Sequence, residues 1–274
     1  MSTDRSDFTV DTAKERDYLL DYKSVDLMSL RRTAILDFPI DNVTRDEAVA
    51  LVLHHIEQKQ GPAHVIFVDP VKLMRLRSSR RLQHLNEGLN LILADGAGLL
   101  WGAERLGQPL KERIPMIAML MDIVRLAWKT ELTIYFLGDK SEYLERVFAN
   151  MQRSFPGVRI IGRQAGSFNA AREALIKESI RKSSPDIIFI GMGFPAQELW
   201  IHENRDHLAN AVVIGIDEAF GILSGKMKRA PDWFQLRGLA WFWQVLTKPF
   251  LLDRLIATIA YFVKVLWVSF RQKP

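Results

Sequence analysis

The sequence predicts an α/β fold organised on a doubly wound, mostly parallel sheet. Two observations carry that prediction. Short runs of Ile, Val, Leu and Phe recur along the chain, most of them closing on Gly or Asp, and stretches of helical period lie between them. Apolar runs without polar alternation are the pattern of strands buried on both faces, as in a parallel sheet covered by helices on either side. Composition agrees: 274 residues, 48% hydrophobic and 25% charged, suffice for one full core and are ordinary for a globular protein.

The elements follow in order. Residues 1–33 are polar and mixed in charge, lack an apolar leader core and read as a loose arm. The main domain spans residues 34–240. Thr44-Arg45-Asp46-Glu47 is a capping box, the Thr44 hydroxyl and Glu47 carboxylate satisfying orphan amides, and it opens a helix through His55. Ala63–Val68 is a strand ending at Asp69-Pro70, followed by a basic helix from Lys72 to Arg81. The strand Leu91–Ala94 runs into Asp95-Gly96-Ala97-Gly98, and helices follow near Gly98–Leu106 and Ile117–Trp128. Leu132–Leu137 is a strand closing on Gly138-Asp139; a helix begins at Ser141 and a strand spans Val158–Gly162. The helix Ala170–Lys182, the strand Ile187–Ile190, the helix Pro195–Leu208 and the strand Val212–Ile216 complete the alternation. Strand–helix alternation of this kind specifies a doubly wound, Rossmann-like sheet.

Residues 241–274 differ in character. Trp241-Phe242-Trp243 leads to a long apolar stretch, Leu255–Phe270, flanked by Asp253-Arg254 and broken by Lys264. About 20 mostly apolar residues are needed to span a bilayer. The stretch falls short and reads as a helical, membrane-contacting appendage lying in the interface; a C-terminal helix packed on the core is the alternative. From Ser224 onward nine Lys or Arg face two Asp, whereas the whole chain carries only +5. That excess suits an anionic membrane surface. It does not suit nucleic acid, because the basic residues are sparse among Leu, Ile and Val with no polar stacking platform. Cysteine is absent, so neither disulfides nor thiolate metal sites arise. The six His show no metal-ligand spacing, and the adjacent pair Asp217-Glu218 is weak ground for a divalent cation.

Three strand ends draw attention as a ligand crevice. Ligands of open α/β sheets bind just past the carboxyl ends of strands. Gly191-Met192-Gly193-Phe194-Pro195-Ala196-Gln197-Glu198 offers two glycines for close backbone approach, a rigid proline and an amide–carboxylate pair. Asp95 stands beside Gly96 and Gly98, where the alternative is that it caps the next helix. The third strand ends in Asp217-Glu218 and leads to Gly225-Lys226-Met227-Lys228-Arg229-Ala230-Pro231.

In this order the segments resemble the WecG/TagA/CpsF family of bacterial glycosyltransferases. The matches are Ala94-Asp95-Gly96-x-Gly98, Gly191-x-Gly193-x-Pro195-x-Gln197-Glu198-x-Trp200 and Arg229-Ala230-Pro231-x-Trp233, with lesser ones at Phe38–Thr44 and Arg237-Gly238-Leu239-x-Trp241. The resemblance implies an inverting, metal-independent transferase with no cofactor. Its partners would be a UDP-sugar and a polyprenyl-pyrophosphate-linked acceptor, at the cytoplasmic face of the membrane. It assigns Asp95 as general base for the acceptor hydroxyl, Gln197 to the nucleotide-sugar pocket and Arg113 to a position facing the active site. Gly191, Gly193, Pro195 and Glu198 fall in the same donor loop, and Lys228 and Arg229 are candidates for the acceptor's pyrophosphate. A homo-oligomer is compatible with the sequence, which leaves the state open.

The chain also departs from the family pattern. Phe67-Val68-Asp69-Pro70 stands where Thr-x-Asn is usual, and Pro115-Met116-Ile117-Ala118 where a polar run is usual. Asp217-Glu218 replaces Gly-Gly, Gly221 replaces an Asp and Ala240 replaces a Glu. Hydrogen-bonding sites discriminate strongly against analogues lacking the partner group. Altered sugar choice is therefore expected around Asp69, Asp217 and Glu218, with UDP-glucose or another hexose as a candidate donor. A catalytically silent relative that binds nucleotide-sugar or lipid intermediates in an assembly complex is the alternative.

Overall fold

The computed structural model describes residues 31–166, 168–227 and 252–271. Six parallel strands form the central sheet in the order β4-β3-β8-β7-β5-β6. They are β3 (Ala63–Val68), β4 (Leu89–Ala94), β5 (Ile134–Gly138), β6 (Ile160–Gln164), β7 (Ile187–Gly191) and β8 (Val212–Gly215). The expected strands are present with ends shifted by a few residues, as element boundaries commonly are.

Alternation within the strands decides which core each side chain enters. Val65 and Phe67 of β3 and Ile187 and Phe189 of β7 join one continuous apolar cluster. It is covered by the helices α1 (Arg45–Gln58), α5 (Met116–Thr130) and α6 (Ser141–Ser154). The opposite face is divided. Ile66 and Val68 of β3 belong to a cluster beneath α2 (Pro70–Ser78), the short α3 (Arg80–Gln83) and α4 (Ala97–Arg105). Ile188 and Ile190 of β7 belong to another, with α7 (Ala170–Ser183) and α8 (Ala196–Glu203).

The antiparallel hairpin of β1 (Arg31–Ile35) and β2 (Phe38–Asn42) was not anticipated from periodicity; it begins inside the stretch assigned to the arm. Asp41 ties it down. Its carboxylate accepts from the Ile92 amide at 2.7 Å and pairs with Arg32 at 2.8 Å. Arg32 also donates to the Asn90 carbonyl at 2.8 Å. The hairpin thereby covers the β4 edge, which would otherwise present unpaired backbone groups.

A C-terminal helix (Leu252–Arg271) lies against α2 and α4. After the short α9 (Ala219–Leu223), it is α10 among the described residues. Tyr261 and Val265 are wholly buried in the second cluster, and a side chain at Gly102 would collide with the Tyr261 hydroxyl. Its other face carries Ile256, Ile259, Val263, Trp267 and Phe270, each more than half exposed. The helix is therefore packed on the core and also keeps an apolar face outward. No described helix is long and apolar enough to cross a membrane.

Candidate active site

The carboxyl ends of the parallel strands bring together Asp69 after β3, Asp95 after β4, Gly138-Asp139 at β5, the Gly191–Gly193 turn at β7 and Asp217 after β8. Asp69 caps α2, its carboxylate accepting from the Lys72 amide at 2.7 Å. Asp95 does not cap α4: the capping position is Gly96, at φ +117°, with no side-chain bond. Its carboxylate is thus left for other work, next to Asp69, whose Cβ is 3.8 Å from where a Cβ on Gly96 would stand.

Arg113 reaches Asp95 from the loop before α5. The Ile114 amide donates to the Ala94 carbonyl at 2.8 Å, which holds this loop against the end of β4. The Arg113 Nε then lies 3.7 Å from the Asp95 carboxylate. Burial pushes the Asp95 carboxyl up to about 6, and nearby Asp69 adds to the rise; Arg113, Lys72 and the Met116 amide at the start of α5 hold it back. About 31% of the side chain is still open to solvent, so the group is both perturbed and reachable.

A polar seam runs between the two apolar clusters on the divided face. His64, in line with Ile66 and Val68, places Nε2 2.7 Å from the Glu198 carboxylate, and both side chains are buried. Gln197 is also buried; its amide nitrogen donates to Glu198 at 2.9 Å and to Asp217 at 3.0 Å, and its oxygen accepts from the Asp217 amide at 3.0 Å. Gly215 makes the room, since a Cβ there would stand 2.5 Å from the Gln197 amide nitrogen. At the far end Lys72 donates to the Phe67 carbonyl at 2.9 Å and pairs with Asp217 at 2.7 Å. Burial works against the Lys72 charge, yet Asp217, Glu198 and Asp69 outweigh it and hold the ammonium above its ordinary range. Burial likewise leads the forces on Glu198, but His64, Lys72 and Gln197 keep it below the usual carboxylate range.

Beyond Asp217 opens a cavity of about 640 Å³, within the size range of small-molecule sites. Asp139, Lys140, Ser141 and Tyr143 from the β5–α6 turn line it, with Gly191–Gly193, Asp217, Glu218 and Met227. The start of α6, whose capping residue Lys140 makes no side-chain cap, offers a positive helix end.

Of the residues singled out from sequence, Gly191, Gly193, Asp217 and Glu218 line this cavity, whereas Asp69, Asp95 and Arg113 meet at the neighbouring ends of β3 and β4, outside its lining. Gln197 and Glu198, assigned from sequence to the donor, lie beneath its floor with their polar atoms directed into the protein. Pro195 is the residue before α8 and follows a cis peptide. Lys228, Arg229 and Ala240 lie outside the described residues. Sequence reasoning passed over His64, Lys72, Asp139 and Tyr143. A signal for two of them existed: a histidine inside an apolar strand requires a partner, and a lysine three residues after a capping Asp faces the same helix start.

Residues 33–274 match the model of the "Glycosyl transferase WecG/TagA/CpsF family". Similar proteins named N-acetylglucosaminyldiphosphoundecaprenol N-acetyl-beta-D-mannosaminyltransferase occur in several bacteria. The one from Bacillus spizizenii is 28% identical over 84% of this chain and 88% of its own length. The one from Bacillus subtilis is 28% identical over 78% and 82%. That of Staphylococcus aureus is 27% identical over 77% and 83%.

Proposed function

The chain belongs to the WecG/TagA/CpsF family of glycosyl transferases, and from that premise we propose that it is an inverting glycosyltransferase moving a sugar from a UDP donor to a polyprenyl-pyrophosphate-linked saccharide. The observation that carries the mechanism is Asp95: a partly exposed carboxylate past the end of β4, 3.7 Å from Arg113 and poised near 6. The acceptor hydroxyl attacks the sugar C1 as its proton passes to Asp95. The new C–O bond forms on the face opposite the departing UDP oxygen, which leaves with the bonding electrons. Arg113 keeps Asp95 ionised between turnovers and offers a charge toward the acceptor.

The donor reading rests on the cavity. Tyr143 and Met227 provide a wall for a flat base, Lys140 and the start of α6 a positive end for phosphates, and the Gly191–Gly193 turn lets the pyrophosphate approach the backbone. The reaction proposed is metal-free, with Lys140 and the start of α6 supplying the positive charge that faces the diphosphate. The apolar outer face of α10 supports peripheral attachment to the cytoplasmic face of the membrane.

The experiment is a panel of UDP-sugars incubated with purified protein and a diphosphate-lipid-linked N-acetylglucosamine acceptor. Transfer from at least one donor is expected, and Asp95→Asn should lower it by about 10²–10⁴-fold. Failure with every donor while UDP still binds would instead identify a binding-only relative.

A further inference from the structure

Asp217 is a carboxylate with little freedom. Its Oδ2 is 2.7 Å from Lys72, its Oδ1 accepts from Gln197 at 3.0 Å, and its own amide donates back to Gln197 at 3.0 Å. Its backbone is left-handed, at φ +49°. Even so, 26% of the side chain is exposed and it lines the cavity, whereas Lys72 stays behind it. A carboxylate oxygen has two acceptor lone pairs, so each still has capacity after these bonds. A ligand group meeting it must donate. Glu218 shares its wall, so an anionic ligand group is favoured only beside Lys140 and the start of α6, where the pyrophosphate is placed, and is repelled beside Asp217.

Lys72 also ties Asp217 to the catalytic side of the crevice, since its charge is felt by Asp69, Glu198 and Asp95. Along the sheet the end of β8 lies between β4, which carries Asp95, and β7 and β5, whose ends line the cavity, so a donor with its nucleoside in the cavity and its C1 beside Asp95 would lay its sugar past Asp217. We propose that Asp217 is a specificity-determining residue, accepting hydrogen bonds from hydroxyls of a neutral hexose and disfavouring hexuronate donors, and that Lys72 is its positioning residue. The inference rests on the UDP-sugar reading above. It concerns a position where the family pattern carries glycine.

The test compares UDP, UDP-glucose and UDP-N-acetylmannosamine, and the 6-carboxylate analogue of each sugar, by calorimetry and initial rates. Three variants are used: Asp217→Gly, Lys72→Met, and the two combined. Glycine suits the left-handed backbone, and removing both partners leaves no buried charge unpaired, so the double variant controls for folding. In whichever sugar series binds more tightly, wild type should prefer the neutral donor by about tenfold or more. Asp217→Gly and the double variant should narrow that preference to about threefold or less, with UDP affinity unchanged. Lys72→Met should raise KM for the neutral donor more than it lowers kcat, which a loss of folded enzyme would not do. An unchanged preference in Asp217→Gly overturns the inference. A parallel loss for UDP itself also overturns it, moving Asp217 onto the ribose. Wild type that binds neither UDP nor any donor sinks the functional reading instead.

Discussion

The Nζ of Lys72 lies 2.7 Å from Oδ2 of Asp217, joining the helix after β3 to the end of β8 through one ion pair under the crevice. Breaking a buried pair from one side leaves an uncompensated charge. Lys72→Met should cost about 2–3 kcal/mol of stability, below the usual range of about 3–5 kcal/mol because Asp217 keeps some contact with water. Adding Asp217→Gly should restore most of it. Denaturant unfolding of the single and double variants measures both; additive losses would show that the two residues do not act as a pair.

His64 and Glu198 make a second buried polar contact, a hydrogen bond of 2.7 Å that is more completely enclosed. His64→Leu strands the Glu198 carboxylate and should cost about 3–5 kcal/mol. His64→Gln, which keeps a donor, should cost less than half as much. Equal losses in the two variants would argue that packing volume, not the charge, is what matters at this position.

Asp95 sets two pH dependences. As the base it must be ionised, so kcat/KM should fall about tenfold per pH unit below about 6 and level off above it. For stability the sign is the reverse of the usual carboxylate case. Its folded pKa is raised, so the folded state keeps the proton longer than the unfolded chain, and stability declines between about pH 4 and 6. Asp95→Asn should therefore stabilise the protein at pH 7 by about 1 kcal/mol, discounted for partial exposure, and change little at pH 4. Thermal melts at the two pH values decide it; equal shifts at both would remove Asp95 ionisation as the cause.

Gly215 faces the seam, where a methyl group would stand 2.5 Å from the Gln197 amide nitrogen and 3.0 Å from a Glu198 oxygen. Both neighbours are held by other bonds and cannot retreat cheaply. Gly215→Ala should cost about 1–3 kcal/mol and loosen Asp217, raising KM for donor. A variant as stable and active as the parent would show that the seam is soft.

For α10, changing Ile256, Val263 and Phe270 together to Glu removes apolar area from the outward face while leaving Tyr261 and Val265 in the core. At about 1.5–3 kcal/mol for burying each such side chain, binding to anionic liposomes should weaken by more than about 100-fold. Folding should be unaffected. Unchanged flotation with vesicles would dissociate this face from the membrane.

Much of the fold was legible locally. The capping box at Thr44–Glu47 forms as expected, with the Thr44 hydroxyl accepting at 3.2 Å and the Glu47 carboxylate at 2.7 Å. Apolar runs closing on Gly or Asp marked β3, β4, β5, β7 and β8, because burial on both faces leaves a one-dimensional trace. The hairpin at β1 and β2 left a weaker trace: its strands are short, and β1 is largely exposed.

Pattern and spacing alone were enough to establish the layered α/β class and to put Asp95, Gly191 and Asp217 at strand ends, since backbone period and turn chemistry depend on near neighbours. Strand order and side-chain pairing depend on contacts between residues distant in the chain, so only the folded molecule could place Lys72 against Asp217, join His64 to Glu198 and direct Gln197 inward. Glu198 shows the physical reason. A carboxylate in a loop motif looks available to ligand until the neighbouring strands enclose it, and once enclosed it must take its partners from the protein itself.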